Sequence, residues 1–302
     1  MSTHQTAKTQ YAVSRSGTKY AYRRLGTGPG TPLLLLIHFR GTMDKWDPLL
    51  VNSLAASRPL ILYDYAGVGH STGEVSTTLR QEADNVAEFL ALIGEGEVDL
   101  LGFSLGGYIA QLVALNADPT SLRVRKLVLA GTGTTAGGAD VPPSPNTDYI
   151  EYATAPVVTL EETFQTLFFP KTREGKFASE QWWARVHERG PATSGEEPSQ
   201  YLSTDYVDGG KGMQAQGAQL SHGANPETAR GLDGAYERLG ELKMPVLVAN
   251  GKDDYMIPTS ISYVIQQKVP NGQLILYPNS GHGFLFQYAT LFVKHVLLFL
   301  EV

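Results

Sequence analysis

The amino-acid sequence predicts an α/β fold in which a mostly parallel sheet carries helices on both faces. Short, continuous apolar runs bounded by turn residues recur along the chain, as expected of strands buried on both faces of a parallel sheet. Amphipathic helical patterns alternate with these runs, which is typical of βαβ units with right-handed crossovers. At one junction, residues 102–107, a strand turns into a helix through a glycine-rich segment.

The strands are expected in the following order. Residues 20–23 form an early strand, and apolar runs then form the buried strands, at residues 33–37, 59–63, 99–102, 124–130, 245–249 and 273–277. One helix begins at Thr78, where Thr78 and Gln81 fit a capping box ahead of an apolar stripe. Further helices are expected at residues 105–116 and 285–300.

The alternation of strands and helices stops after Gly131. From about residue 136 to about residue 230 no buried strand is evident, and the segment is rich in Pro, Gly, Ser and Thr. Its length argues against one long loop. We therefore expect a helical cap subdomain at residues 136–230, inserted into a core made of residues 1–135 and 231–302. Its aromatic side chains are candidates for an apolar lid: Tyr149, Tyr152, Phe168, Phe169, Trp182 and Trp183.

Composition and charge exclude several classes of function. The formal net charge is −6 and no basic stripe is present, so neither nucleic acid nor an anionic membrane surface is an expected partner. The chain has no cysteine, which excludes disulfides, thiolate metal sites and a cysteine nucleophile. Residues 1–10 are polar and lack the apolar stretch of a signal peptide, so a cytoplasmic location is expected.

The strongest chemical signal is the junction Gly-Phe-Ser-Leu-Gly at residues 102–106, which fits the pattern Gly-x-Ser-x-Gly between a strand and a helix. A strand that reverses into a helix within a few residues strains the central residue, and small neighbours let the two arms approach. The turn lifts the Ser104 hydroxyl to a helix N-terminus, where negative charge is favoured. A glycine-rich turn whose serine has no catalytic role would fit the same sequence pattern. The strand before Ser104 and the helix after it favour a nucleophile.

A serine hydroxyl needs a base, and the chain has seven histidines. His282 follows the last predicted strand, at the carboxyl edge where sites form in open α/β sheets, and is the expected base. His38 ends a strand near the same edge and is expected to be a structural polar group. The base needs an orienting carboxylate, and Asp253 and Asp254 both follow the strand at residues 245–249. Their position in the sequence does not decide which of the two aspartates orients the histidine.

Nearly the whole chain resembles the α/β-hydrolase superfamily. Its members commonly carry a Gly-x-x-Asp-x-x-x-Pro segment after the seventh core strand, and Gly251, Asp254 and Pro258 match it in register. The resemblance therefore favours Asp254 and implies the chain order Ser104, Asp254, His282. Serine at the elbow indicates the serine-nucleophile branch, with its esterases, lactonases and haloperoxidase-like enzymes. It disfavours the alkyl-enzyme chemistry of members that carry aspartate there.

The resemblance also implies two backbone N–H donors for an oxyanion. One is the N–H of Leu105, next to the nucleophile. The other lies where the family usually has His-Gly-x but this chain has His-Phe-Arg-Gly at residues 38–41. An ungapped alignment to Trp46 makes Phe39 the donor, whereas alignment on the histidine makes it Arg40; we favour Phe39. The Arg40 side chain either faces the mouth of the site and attracts an anionic group, or it is solvated or salt-bridged.

These parts predict a serine hydrolase that cleaves a carboxylic ester or lactone of a small to medium, partly apolar substrate through an acyl-enzyme, with no metal or organic cofactor. A carbon–carbon bond hydrolase uses the same parts, as does non-hydrolytic acyl chemistry such as perhydrolysis or lactone formation. A ligand receptor on the same fold, in which hydrolysis is slow, is a further alternative. The hydrolase is favoured because the nucleophile, the orienting carboxylate and the base are all present, in the chain order that the fold requires.

Overall fold

The computed structural model describes residues 2–138, 140–141, 144 and 146–301. Residues 1 and 302 of the expected core lie outside the described residues, as do residues 139, 142, 143 and 145 of the expected cap. Within the described part of the chain, no helix combines the length and the apolar character needed to cross a bilayer.

One eight-stranded sheet runs through the molecule. Its strands are β1 (Gln10–Val13), β2 (Lys19–Leu25), β3 (Leu33–Leu36), β4 (Leu60–Tyr63), β5 (Glu97–Phe103), β6 (Arg123–Ala130), β7 (Val246–Gly251) and β8 (Gly272–Tyr277). They lie in the order β1-β2-β4-β3-β5-β6-β7-β8. β2 pairs antiparallel with β1 and β4, and the other pairings are parallel. The loops that follow β3, β5, β7 and β8 therefore meet at one edge of the sheet, the carboxyl edge.

Helices fill the connections: α1 (Pro48–Ala55), α2 (Leu79–Leu92), α3 (Leu105–Asn116), α4 (Tyr149–Ala153), α5 (Gln165–Leu167), α6 (Arg173–Val186), α7 (Pro191–Ser194), α8 (Lys211–Ala224), α9 (Thr259–Lys268), α10 (Phe284–Gln287) and α11 (Ala289–Glu301). A π-helical turn covers Leu160–Phe164, and 3₁₀ turns cover Met43–Lys45, Gly231–Asp233 and Tyr236–Glu241. α1 packs against α11, and α2 packs against α3. Helices thus cover both faces of the sheet, as the sequence predicts.

Seven of the eight strands are predicted from the sequence, six of them from apolar runs. The predicted buried strands are β3 to β8, and the predicted early strand is β2. β1 is not predicted from the sequence, because its apolar run, residues 11–13, is shorter than the run expected of a buried strand. The helix predicted at residues 285–300 is divided into α10 and α11 at Tyr288. The backbone of Tyr288 leaves the helical region, with φ −108° and ψ 32°, and its hydroxyl donates to the carbonyl of Pro278 at 2.9 Å.

The segment between β6 and β7, residues 131–245, is named the insert. It contains α4 to α8, and its described residues form no strand. α6 of the insert packs against α1 and α10, while α8 packs against α2. The insert therefore rests on the helices of the core, and it contributes half of the walls of a pocket at the carboxyl edge.

Candidate active site

Ser104 lies at the turn between β5 and α3. Its backbone has φ 55° and ψ −119°, and a positive φ is uncommon for any residue other than glycine. The N–H of Ser104 donates to the carbonyl of Ala130 at 2.9 Å, which fixes the turn against β6. A Cβ at Gly102 would overlap the carbonyl of Gly106, and a Cβ at Gly106 would overlap the carbonyl of Leu36. β5 and α3, on either side of the turn, can approach each other only because both positions are glycine. The glycine at residue 106 also lets α3 approach β3.

His282 and Asp254 form a buried, hydrogen-bonded pair. Nδ1 of His282 lies 2.8 Å from Oδ2 of Asp254, and neither side chain is exposed. The other carboxylate oxygen of Asp254 accepts from the N–H groups of Met256 and Ile257, at 2.9 and 3.0 Å, so the carboxylate is held in position. Asp253, in contrast, is exposed. Of the two aspartates that position leaves open, Asp254 is therefore the one that contacts His282.

This hydrogen bond determines which nitrogen of His282 is available for chemistry. A carboxylate only accepts, so Nδ1 carries a proton and Nε2 of the neutral ring carries a lone pair. Nε2 is buried and has no hydrogen-bond partner among the described residues. Ser104 and His282 line the same pocket. General-base activation requires a basic nitrogen within hydrogen-bond reach of the serine hydroxyl, and the unpartnered Nε2 of His282, in the pocket that Ser104 lines, is the candidate for this role.

The pocket lies between the carboxyl edge and the insert, and it holds about 350 Å³ of empty space, its mouth included. Of the aromatic residues predicted for a lid, Phe168 lines this pocket. Trp182 is fully buried instead, packed between Phe164 and Phe286. The other wall residues of the insert carry no chemical motif and are not predicted from the sequence: Ala153, Val158, Thr163, Phe164, Leu167 and Tyr201.

Phe39 and Arg40, the two alternatives for the second oxyanion donor, both line this pocket in the loop after β3. The N–H of Arg40 donates to Oε1 of Gln216 at 2.7 Å, and the Gln216 side chain is buried. The N–H of Phe39 has no acceptor among the residues that the structure describes. Leu105 is the first residue of α3, a position whose N–H has no acceptor within the helix. Of the two alternatives for the second donor, Arg40 is already engaged, while Phe39 is not.

His38, for which the sequence predicts a structural role, lies on the wall of the pocket. Its side chain is buried, and burial lowers the pKa of His38 to about 3, so the ring is neutral at physiological pH. Nδ1 lies 2.9 Å from the carbonyl of Phe39, which only accepts, so Nδ1 carries the proton. Nε2 of His38 therefore faces its surroundings as an acceptor, and it has no partner among the described residues.

Arg40 is neither solvated nor salt-bridged, contrary to one of the two expectations. Its side chain is 3% exposed, and no carboxylate of the described residues lies within 4.0 Å of it. Nε donates to the carbonyl of Leu202 at 2.5 Å, and Nη1 donates to the carbonyls of Ala153 and Ala155 at 3.0 and 2.8 Å. Burial lowers the pKa of Arg40 to about 10, so it stays charged at neutral pH. The sequence could not indicate this environment, because all three acceptors belong to the distant insert.

In the part of the chain that the structure describes, no group of three or more His, Asp or Glu side chains is arranged to hold a metal ion. The groups that the pocket offers for chemistry are the serine, the two histidines, the carboxylate and the backbone donors described above. These groups lie at the carboxyl edge of the sheet, which is the edge where open α/β sheets bind their ligands.

Comparison with known proteins places this architecture in a family. A family model described as alpha/beta hydrolase fold matches residues 32–288. The chain belongs to the α/β-hydrolase family. The match begins just before β3 and ends after α10, so it includes the elbow at Ser104 and the loops that carry Asp254 and His282.

Several α/β-hydrolase relatives extend over nearly the whole chain. A 2-hydroxy-6-oxononadienedioate/2-hydroxy-6-oxononatrienedioate hydrolase of Burkholderia vietnamiensis is 29% identical over 304 residues, covering 98% of this chain and 97% of the relative. An alpha/beta hydrolase fold protein from Chitinophaga pinensis has a TM-score of 0.81 at 29% identity, covering 99% of each chain. An esterase from Rhodococcus sp. ECU1013 has a TM-score of 0.72 at 26% identity, covering 97% of this chain and 98% of the esterase. Hydrolysis is the activity class that these relatives support.

Proposed function

We propose that this α/β-hydrolase cleaves a carboxylic ester or lactone through an acyl-enzyme. Ser104 is the nucleophile, His282 the general base and Asp254 the carboxylate that orients it. The observation that carries the proposal is the buried hydrogen bond between Asp254 and His282, which leaves Nε2 of His282 without a partner in the pocket that Ser104 lines. The similarity to the Rhodococcus esterase supports an ester as the bond that is cleaved.

The catalytic cycle follows from these positions. Ser104 adds to the substrate carbonyl while Nε2 of His282 accepts the proton of its hydroxyl. Asp254 stabilises the charged imidazole and keeps its ring oriented. His282 then gives the proton to the leaving alcohol, and the acyl group stays on Ser104. Water, deprotonated by the same histidine, attacks the acyl-enzyme and releases the carboxylic acid.

The tetrahedral intermediate carries a negative oxygen that needs preformed donors. We assign this role to the backbone N–H groups of Phe39 and Leu105. The assignment to Phe39 rests on the engagement of the Arg40 N–H by Gln216, which leaves the N–H of Phe39 as the unoccupied one of the two alternatives. Loss of one such donor typically removes about 3–4 kcal/mol of transition-state stabilisation.

Residues 136–230 act, in this proposal, as a cap subdomain that selects the substrate. Their contribution to the pocket wall is mostly apolar, with Phe164, Leu167 and Phe168 among its residues. Apolar walls of this kind are typical of small-molecule sites, so they support a small to medium substrate with a partly apolar body.

A carbon–carbon bond hydrolase is the second candidate. The Burkholderia relative is named for an oxo-dienedioate, a type of molecule that contains no ester. Hydrolysis of such a molecule breaks a bond next to a ketone, and a serine or a water activated by His282 can add to that ketone. The two candidates differ in the substrate that is turned over, so one panel of esters, lactones and oxo-dienedioates separates them.

The proposal predicts large losses of ester hydrolysis in single variants. We expect Ser104→Ala to lower kcat by about 10⁴–10⁶-fold, because no other residue forms the acyl-enzyme. Asp254→Asn should lower kcat by about 10⁴-fold, because an amide can favour the wrong tautomer of His282. Steady-state hydrolysis of a panel of 4-nitrophenyl esters and lactones measures both effects.

Asp253→Asn is the matched control for Asp254→Asn, because Asp253 is the exposed neighbour. It should change kcat by less than about threefold, as expected of a surface substitution. Equal losses in the two variants would remove the orienting role from Asp254. Near-full hydrolysis by Ser104→Ala would remove the acyl-enzyme. Very slow turnover of the whole panel by the wild type would favour a ligand receptor instead.

A further inference from the structure

Four side chains on the pocket wall have a buried polar atom without a hydrogen-bond partner among the described residues. They are Nε2 of His38, Nη2 of Arg40, the hydroxyl of Tyr201 and Nε2 of His282. Buried polar atoms are nearly always hydrogen-bonded, so four that line one small pocket need an explanation. The proposed catalytic cycle uses Nε2 of His282. It leaves the other three without a role.

Arg40 differs from the other three because it brings an uncompensated charge. Its hydrogen-bond partners are the neutral carbonyls of Leu202, Ala153 and Ala155, and no carboxylate of the described residues lies within 4.0 Å. A second buried cation, Lys45, lies over the ring of Tyr201 at 4.9 Å from its centroid. An unpaired buried cation costs free energy, and an anion that enters the pocket offsets this cost.

The Arg40 guanidinium is also held in position. The backbone of Arg40 has a φ of 67°, and its N–H is fixed by Gln216. Three carbonyls fix Nε and Nη1, so Nη2 is the group that is left for a ligand. A donor that is fixed before binding loses little conformational entropy when the ligand arrives. Strain of this kind persists where the surrounding structure maintains it, and it is often found at functional sites.

We propose that the pocket recognises substrates that carry a carboxylate, which binds to Nη2 of Arg40. This inference rests on the proposed function and names the substrate class of the same site. The hydroxyl of Tyr201 is the second donor for that carboxylate. Nε2 of His38 is an acceptor, so it repels a carboxylate and keeps the anionic group on the Arg40 side of the pocket. Arg40 is thereby a residue that determines specificity, and the reacting bond lies at Ser104.

Two matched pairs of substrates test the preference. In the first pair the charge is in the acyl part, with 4-nitrophenyl hemiglutarate against 4-nitrophenyl pentanoate. In the second pair it is in the leaving group, with 4-carboxyphenyl acetate against 4-carbamoylphenyl acetate. We expect the wild type to favour the carboxylate by about tenfold to a hundredfold in kcat/KM in one of the pairs, as expected of a charged hydrogen bond. Equal kcat/KM within both pairs would overturn the proposal.

Arg40 variants separate recognition from a purely structural role. Arg40→Gln should abolish the preference, and Arg40→Lys should retain part of it, because lysine keeps the charge but loses the planar fork. A structural role alone would lower kcat/KM for the charged and neutral members equally. Arg80→Gln makes the same charge change on the partly exposed surface of α2 and should keep the full preference. If Arg40→Gln does not fold, Arg40→Lys and the wild-type preference still decide the question.

Binding of glutarate to the Ser104→Ala protein tests the inference without any turnover. Calorimetry should detect glutarate binding to Ser104→Ala, and at least a tenfold weaker binding to the double variant with Arg40→Gln. Glutarate binding by a protein that hydrolyses no ester would reject the proposed function and retain the carboxylate site. Ester hydrolysis without a charge preference and without glutarate binding would retain the proposed function and reject the carboxylate site.

Discussion

At the scale of single residues, the surroundings decide what each side chain does. Asp253 and Asp254 are adjacent and chemically identical, yet one is exposed and the other accepts three hydrogen bonds in a buried position. The position of the pair at the carboxyl edge could be predicted from the sequence, and the family pattern selected Asp254. The environment of Arg40 could not be predicted, because its acceptors, Leu202 among them, lie more than a hundred residues away in the chain.

A buried carboxyl in α2 gives a pH-dependent prediction at this scale. Glu82 is 1% exposed, and burial raises its pKa from 4.5 to about 7. A carboxyl with a raised folded pKa contributes stability that is fully present below pH 4.5 and is lost as the pH rises to about 7. We therefore expect Glu82→Gln, which cannot ionise, to raise the free energy of unfolding by about 3 kcal/mol at pH 8 and to change it little at pH 4.5.

Urea unfolding of wild type and Glu82→Gln at the two pH values measures this difference. Glu180→Gln is the control, because Glu180 lies on the exposed side of α6 and forms one loose ion pair there. It should shift the free energy of unfolding by less than about 0.5 kcal/mol at either pH. A loss of stability in Glu82→Gln that is equal at pH 4.5 and pH 8 would show that the carboxyl does not titrate as the burial implies.

At the scale of elements, continuous apolar runs were the reliable signal. β3 consists of four leucines that are all fully buried, and such a run predicts a central parallel strand directly. β1 lacks that signal because its apolar run, residues 11–13, is only three residues long, whereas β8 at the other edge carries such a run although Tyr277 is its one buried residue. The division between α10 and α11 is also invisible in the sequence, since apolar residues continue through it. The hydrogen bond of Tyr288 to Pro278 that accompanies this division is a tertiary contact.

The elbow between β5 and α3 gives the prediction at this scale. A Cβ at Gly106 would overlap the backbone carbonyl of Leu36, which cannot rotate away as a side chain can. We expect Gly106→Ala to lower the free energy of unfolding by about 3 kcal/mol or more, because α3 and β3 must separate. The expectation is checked by urea unfolding, together with the rate of ester hydrolysis.

Gly217→Ala is the matched control for this substitution. Gly217 lies within α8, and a Cβ there meets nothing within 4 Å. Alanine is the better helix former, so this variant should gain about 0.5–1 kcal/mol of stability. A Gly106→Ala protein that is as stable as wild type would show that close approach of the elbow to β3 is not required.

At the scale of the whole molecule, a buried ionic cluster joins the insert to the core. Asp44 accepts hydrogen bonds from Arg23 of β2 and from His70, and it lies 3.2 Å from Arg189 of the insert. The N–H and hydroxyl of Ser199, also in the insert, donate to Asp44 at 2.8 and 2.7 Å. Although burial opposes ionisation, His70 and Arg23 hold the pKa of Asp44 well below its usual range. The sequence could not indicate this cluster, because its members are far apart along the chain.

Removal of the charge of Asp44 should lower the stability of the whole protein. Asp44→Asn removes the buried anion that contacts both Arg23 and Arg189 and leaves the partly exposed Glu196 as the carboxylate beside them, so we expect the free energy of unfolding to fall by about 3 kcal/mol. Asp84→Asn is the matched control, because Asp84 is exposed on α2 and pairs with Arg80 four residues earlier. It should change stability by less than about 0.5 kcal/mol. Equal effects of the two substitutions in urea unfolding would contradict the central role of Asp44.

The central claim is that His282 activates Ser104, and labelling with a fluorophosphonate tests it most directly. Intact mass spectrometry would be applied to wild type, Ser104→Ala and His282→Ala after the same exposure to the reagent. The account predicts one covalent adduct on the wild type, no adduct on Ser104→Ala, and an adduct on His282→Ala that is lost or forms far more slowly. A wild type that stays unlabelled, or a Ser104→Ala protein that is labelled equally well, would contradict it.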